Sequence, residues 1–351
     1  MNKEQMLDRL VENALEFLSK AISEIKESPK FSVIHFCAAV ELFIKARLMS
    51  EHWSLIVSKR QDPDWNKLVS GDFHSVTLKE AADKLTKVVR SGLSKTELEA
   101  FVEIAKHRNK MVHFFHEAHS DKENQAIRKS ISTQQLRAWY YLHGLLKNKW
   151  KDVFEPWSKQ IEKKDKALRN YYAFLEVVYE NIKSKINMRS KQGSIFEQCP
   201  SCFFESQEHL DIEDELYESN CFVCELTEKH FKTECSECGE IVTFRNEGFS
   251  TCDSCGKTYE PKYIVDVLYD EAVDYIAIKD GGEPEAIGNC SNCDSYHTVV
   301  LLENGAYFCA NCFDEFASMN CCNWCNELNT GDMENSYWSG CSECEGTSSS
   351  W

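Results

Sequence analysis

Cys235-Ser-Glu-Cys238-Gly239, then Ile241-Val-Thr-Phe244, Asn246-Glu-Gly248 and Cys252-Asp-Ser-Cys255-Gly256: this stretch decides how the rear half of the 351-residue chain folds. Two thiols separated by two residues in a tight knuckle can face one metal ion, and two such knuckles complete a tetrahedron of sulfur. A short apolar strand and an Asn/Gly turn between the knuckles is the hairpin that a zinc ribbon needs. The same spacing fills the rest of the half. Eight C-x-x-C pairs run in order: Cys199/Cys202, Cys221/Cys224, Cys235/Cys238, Cys252/Cys255, Cys290/Cys293, Cys309/Cys312, Cys322/Cys325 and Cys341/Cys344, with Cys321 left over. Taken sequentially they make four units, 199–224, 235–255, 290–312 and 322–344, whose loops of 18, 13, 15 and 15 residues are each close to ribbon length. In the third unit Thr298-Val-Val-Leu-Leu302, Asn304-Gly305 and Ala306-Tyr-Phe308 read as strand, turn, strand. Four structural Zn2+ sites are expected. Disulfides fit poorly, because the front half holds a single cysteine, Cys37, and the chain reads as cytoplasmic. Sequential and cross-brace pairing use the same sixteen residues, so both stay open. Four sulfur ligands leave no coordination position free, and no catalytic metal is expected.

Charge divides the chain at the same place. Residues 1–190 hold 33 Lys+Arg and 25 Asp+Glu, a balance of +8; residues 191–351 hold 7 and 32, a balance of −25, and together they give the formal −17. Two modules are therefore expected, 1–192 and 193–351. The basic module suits a polyanionic partner and the acidic one repels it. The ribbons are accordingly expected to bind a basic protein partner, or to cover the basic half of their own chain. No run of eighteen apolar residues occurs, so no membrane span is expected. Met1-Asn2-Lys3-Glu4-Gln5 leads into a charged amphipathic pattern rather than a signal peptide, which points to the cytoplasm.

Residues 1–192 read as an all-α bundle of five or six antiparallel helices. Leu7, Leu10, Val11, Ala14, Leu15 and Leu18 keep helical spacing, and Ile22 and Ile25 carry the stripe to Ser28-Pro29. A second, well-buried helix is expected from about Phe31 to Val57. Thr77-Leu-Lys-Glu80 and Ser94-Lys-Thr-Glu97 are capping boxes that start helices. Ser132 or Thr133 is expected to cap a helix through Trp150, and Pro156 to open one long final helix.

Two segments carry a family resemblance. Arg108-Asn109-Lys110-Met111-Val112-His113, together with the upstream Glu41-Leu-Phe-Ile-Lys45-Ala-Arg-Leu48, resembles the HEPN superfamily over about residues 5–150. Its ribonuclease members carry Arg, four to six residues and then His, often with a polar residue directly after the Arg. Two other Arg/His pairs, Arg47/His52 and Arg137/His143, lack the polar residue after the arginine. The resemblance implies a metal-independent endoribonuclease, a toxin or anti-phage effector, acting on RNA as a homodimer. Arg108, Asn109 and His113 would be catalytic, with Lys110 and His116 gripping substrate. The chemistry suits the residue types. A histidine titrating near neutrality can take the 2′-OH proton or protonate the leaving 5′-oxygen, giving a 2′,3′-cyclic phosphate, and arginine can hold phosphoryl oxygens as charge builds. Positions five apart lie about 140° apart around a helix, which favours a site composed from two copies. A competing reading of His113, His116 and His119 is a metal site. Another competitor is a non-catalytic adaptor of helical bundle and ribbons binding protein or nucleic-acid partners.

Overall fold

The computed structural model describes residues 2–113, 121–211, 214–269 and 287–347, together with Tyr275 and Lys279. The chain forms two compact units, residues 1–187 and 188–351, helical and strand-rich respectively. The division falls near the end of a helix that closes the first unit.

Helix α1 (Lys3–Glu24) begins with a reciprocal cap, Gln5 N–H donating to Asn2 Oδ1 at 2.8 Å and Asn2 N–H to Gln5 Oε1 at 3.1 Å. Its stripe of Val11, Ala14, Leu15, Leu18 and Ala21 packs against α2 (Pro29–Glu51). Pro29 stands in the first turn, where a missing N–H costs nothing. Helix α2 is buried nearly all round, through Val33, Phe36, Ala39, Val40, Phe43, Ile44, Ala46 and Leu48, because α1, α4 (Leu78–Lys84), α5 (Lys95–His113) and α6 (Asp121–Gly144) all pack on it. Between α2 and α4 lies the short α3 (Trp65–Ser70). Helices α7 (Lys151–Phe154), α8 (Ser158–Arg169) and α9 (Tyr172–Lys191) complete the helical series. No helix among the described residues is long and apolar enough to cross a membrane.

Both expected capping boxes form: Glu80 N–H donates to Thr77 Oγ1 and Glu97 N–H to Ser94 Oγ, with both carboxylates reaching back. Three helix boundaries differ from expectation. The second helix stops at Glu51, because His52 turns extended and its ring accepts the Ser54 N–H, starting a 3-10 turn over Trp53–Ile56. Helix α6 starts at Asp121 and passes straight through Ser132 and Thr133. The Thr133 hydroxyl bonds back to the Lys129 carbonyl at 3.0 Å, so it serves the helix interior instead of capping it. The single final helix is two, α8 and α9, parted at Asn170–Tyr171, where the Tyr171 N–H reaches only three residues back, to Leu168.

The second unit is built from wider sheets than isolated hairpins. Strands β1 (Ile195–Gln198), β2 (Glu205–Leu210), β3 (Leu216–Cys221), β4 (Thr227–Glu234) and β5 (Ile241–Arg245) form one antiparallel meander. Strands β6 (Ser250–Thr251) and β7 (Thr258–Tyr259) pair with each other, and α10 (Pro261–Leu268) follows. A six-stranded sheet combines β8 (Ile287–Cys290), β9 (Ser295–Leu301), β10 (Tyr307–Cys309), β11 (Glu315–Phe316), β12 (Asn320–Cys321) and β13 (Leu328–Asn329) in the order β11-β10-β9-β8-β13-β12. The hairpin expected across Asn304-Gly305 is present as β9–β10, with Gly305 at φ +83°. The hairpin expected after Ile241–Phe244 is not: β5 pairs with the long alternating strand β4, and the chain beyond the Asn246 turn makes its own pair. One core joins these pieces. Phe231 and Phe244, Tyr259, Ile264 and Val265, and Val300, Phe308 and Phe313 pack in a single cluster.

Candidate metal centres and candidate catalytic pair

Six of the eight C-x-x-C pairs share one backbone design. The first cysteine's N–H donates to the carbonyl five residues on, as from Cys199 to Phe204, Cys221 to Leu226, Cys235 to Glu240, Cys252 to Lys257, Cys309 to Asp314 and Cys322 to Glu327. The residue after the second cysteine adopts a left-handed conformation and returns its N–H to the first cysteine's carbonyl: Phe203, Glu225, Gly239, Gly256, Phe313 and Asn326. The Gly after Cys238 and after Cys255 thus serves a conformation that costs other residues about 1 kcal/mol. Cys290/Cys293 ends in the left-handed Asp294 and spans the turn from β8, where Cys290 is the last residue, to β9.

These knuckles gather the sixteen predicted cysteines into four groups: 199/202/221/224, 235/238/252/255, 290/293/309/312 and 322/325/341/344. The pairing is sequential, not cross-brace. Between knuckles the sulfurs stand 3.5 Å apart for Cys199–Cys224 and Cys202–Cys221, and 3.6 Å for Cys235–Cys255 and Cys238–Cys252. Cys290–Cys312 and Cys293–Cys309 lie at 3.7 and 3.8 Å, Cys322–Cys344 and Cys325–Cys341 at 3.6 Å. A disulfide would hold its sulfurs at about 2.05 Å. Two sulfurs bound about 2.3 Å from one cation at the tetrahedral angle lie about 3.8 Å apart. The separations are those of metal ligands, so each group fits one structural metal ion. Cys37, buried, and Cys321, exposed, stand outside them.

The surroundings favour thiolate at one cysteine of each cluster and the neutral thiol at others, as where burial pushes Cys202 and Cys290 up to about 11. Cys221 is pulled down to about 4, first by hydrogen bonding with the Cys224 thiol, against the opposing effect of burial. Cys235 is pulled down to about 6, first by the Tyr259 hydroxyl, which donates to its sulfur at 3.1 Å. Burial pushes Cys293 up, yet hydrogen bonds with Ser295 and Asn311 outweigh it and leave about 7. For Cys322 burial is likewise outweighed, by the Cys325 and Trp324 backbone N–H groups, leaving about 6. Each cluster thus offers an incoming cation one ready ligand.

In the helical unit α5 carries Arg108 onto α2. Arg108 Nη2 donates to Glu41 Oε1 at 2.7 Å, and Lys45 Nζ lies 4.0 Å from the other Glu41 oxygen. Cys37 lies beside this guanidinium; burial pushes its thiol up to about 12, with Arg108 opposing. Arg108 is one-third exposed, and Asn109 and Lys110 are exposed on the same helix. His113 is the last residue of α5, and its side chain lies outside the described residues, as do His116 and His119 entirely. The predicted histidine members of the site are therefore not placed.

Two further clusters carry no sequence motif. His143, Glu162 and Asp165 converge, His143 Nδ1 lying 3.4 Å from Asp165 Oδ1 and Nε2 3.4 Å from Glu162 Oε1. Arg169 and Trp139 already hold the two Asp165 oxygens, at 2.6 and 2.9 Å, and Lys147 holds Glu162 at 3.0 Å. With two cations on its carboxylates the cluster is an ion-pair network, buried at Asp165 and open to solvent at Lys147, rather than a metal site. The other lies on one face of the β1–β5 sheet. Gln207 donates to Ser219 Oγ at 2.6 Å and to Glu228, and Ser219 Oγ shares a hydrogen bond of 2.7 Å with His230 Nε2. Alternating polar residues in β2, β3 and β4 were the available signal. Comparisons with protein-family models, curated proteins and solved structures return no match for this chain.

Proposed function

We propose that the chain is a metal-independent endoribonuclease of the HEPN type, a toxin or defence effector whose helical unit carries the chemistry and whose cysteine clusters hold structural zinc. One observation carries the reading: the two segments that bear the resemblance, 67 positions apart, meet in an ion pair between Arg108 and Glu41. In this reading Glu41 fixes the direction of the guanidinium, and Arg108 steadies the phosphoryl oxygens as the 2′-oxygen attacks phosphorus. His113 moves the proton between the 2′-hydroxyl and the departing 5′-oxygen, with Asn109, Lys110 and His116 around the phosphate. Two copies facing each other would bring both chemical groups to one phosphodiester. Zinc is the cation that an all-thiolate, closed tetrahedral site favours. The cation neutralises part of each cluster's charge and ties its two knuckles together.

The same ion pair supports a second reading, a non-catalytic adaptor, since a guanidinium committed to Glu41 has less charge to give a phosphate. Induced expression of the wild type beside Arg108→Ala and His113→Ala separates the two. Growth arrest with new RNA fragments ending in 2′,3′-cyclic phosphate, in the wild type alone, is expected. Fragments that persist in both variants, or that never form in the wild type, overturn the nuclease reading.

A further inference from the structure

The fourth cysteine cluster carries an aromatic surface that neither the metal nor the nuclease reading uses. Trp324 is 42% exposed, Tyr337 45% and Trp338 68%, a large apolar area for so small a module to leave in water. The rings touch edge to face: Trp324 and Tyr337 centroids lie 5.6 Å apart at 73°, and Tyr337 and Trp338 5.1 Å apart at 88°. Their backbones are fixed by the cluster itself. Trp324 sits inside the Cys322–Cys325 knuckle, while Tyr337 and Trp338 belong to α11 (Ser336–Ser339). The two are tied together through Ser336, whose hydroxyl accepts the Asn323 N–H at 2.8 Å and donates to the Met333 carbonyl at 2.6 Å. Such a surface loses little conformational freedom when a partner binds.

The charge around it selects the partner. Residues 280–351 contain twelve Asp+Glu and no Lys or Arg, so phosphate is repelled across the whole region. Base stacking on aromatics works in nucleic-acid sites only alongside a basic groove, which is missing here. A cation meets both features: its charge is drawn to the carboxylates and to the negative faces of the rings. Glu327, two residues beyond the Cys325 end of the knuckle, adds a carboxylate here, its Oε2 lying 3.1 Å from His297 Nε2. We propose that Trp324, Tyr337 and Trp338 form a docking site for an arginine- or lysine-bearing segment of a partner protein, held by cation–π contact. This site stands whether or not the helical unit cleaves RNA.

The test uses the full-length, metal-loaded chain and a fluorescein-labelled decapeptide alternating arginine and glycine, followed by anisotropy. Two probes accompany it: the same peptide with citrulline for arginine, and a labelled single-stranded oligonucleotide. Trp338→Ala is expected to weaken the arginine peptide about fivefold to thirtyfold, as one cation–π contact of about 1–2 kcal/mol implies. Trp338→Phe, which keeps a π face, recovers most of the binding. Citrulline, of the same shape and uncharged, is expected to bind no better than the alanine variant binds arginine. Trp338 is mostly exposed, so its loss leaves the fold intact, and metal content measured on each variant verifies that. Equal affinity of wild type and Trp338→Ala, equal affinity for citrulline and arginine, tighter Trp338-dependent binding of the oligonucleotide, or no binding of the arginine peptide each overturns the proposal.

Discussion

His230 makes the stability of the β1–β5 sheet depend on pH, and the size follows from its surroundings. The side chain is fully buried, stacked on Tyr217 with centroids 4.8 Å apart and 5.3 Å from the His209 ring. Burial, then the charges of His209 and Arg245, pull its pKa down to about 4, with Glu228 and Glu197 opposing. In the unfolded chain the imidazole titrates near its ordinary value of about 6.5. Between these values the unfolded state binds the extra proton, so acid favours unfolding. Stability is fully present above about pH 6.5, falls as pH drops towards 4, and levels off below. At pH 5 the loss is about 2 kcal/mol, from the ratio of proton-binding terms for a pKa of about 4 folded and about 6.5 unfolded. His230→Phe keeps a ring against Tyr217 and does not titrate. It leaves Gln207 as the remaining partner of the Ser219 hydroxyl and takes away the acceptor of its O–H, which costs about 1 kcal/mol at every pH. Amide exchange across β3 and β4, in both proteins at pH 7 and pH 5, isolates the imidazole, because thiol and carboxylate effects common to both cancel. The variant is expected to be the weaker at pH 7 and to gain about 2 kcal/mol relative to wild type by pH 5. A wild-type-minus-variant difference that is the same at both pH values would refute the reasoning.

Two further outcomes follow from packing. Asp165→Ala leaves the Trp139 indole N–H and the Arg169 guanidinium without their buried acceptor. A loss of about 3–5 kcal/mol in urea unfolding of the helical unit is expected, and Asp165→Asn, which keeps one oxygen, should lose clearly less. Gly248→Ala would drive a methyl into the Ala310 carbonyl and the Pro261 ring, whereas Gly71→Ala meets nothing and bears only its backbone cost at φ +78°. The first should broaden the unfolding of the strand-rich unit or lower its midpoint strongly; the second should cost about 1 kcal/mol.

The cysteine spacing made the sixteen ligands legible because a knuckle is local: a few backbone hydrogen bonds within six residues fix both sulfurs, whereas which two knuckles share an ion depends on the fold and stayed open until the structure grouped them. Helix starts with reciprocal caps were legible for the same reason. What escaped depends on partners distant in sequence. Nothing near Thr133 tells whether its hydroxyl will cap a helix or bond back within one, and only the continuation from Asp121 decides. Ile241–Phe244 looks locally like half of a hairpin, but β4, an alternating strand seven residues upstream, competes for the same edge and wins with a five-residue register. The Arg108–Glu41 contact lay between two segments that a resemblance had already marked, while the His143–Asp165 network, joining α6 to α8, had no motif to announce it.

The shared core changes what the cysteine half can be. Beads on a string would let each metal come and go alone. Here Cys235 and Cys252 of the second cluster lie in the same apolar cluster as Val300 and Phe308, the strand residues framing the third. Parallel pairing of β13 with β8 links the third cluster to the fourth. Loss of metal from the second cluster is therefore expected to loosen a wall of the third, and the described residues of the half that holds 32 acidic residues against 7 basic ones form connected structure. A connected body can hold an acidic surface and three exposed rings in fixed register, and fixed register is what a docking site for a short basic segment requires.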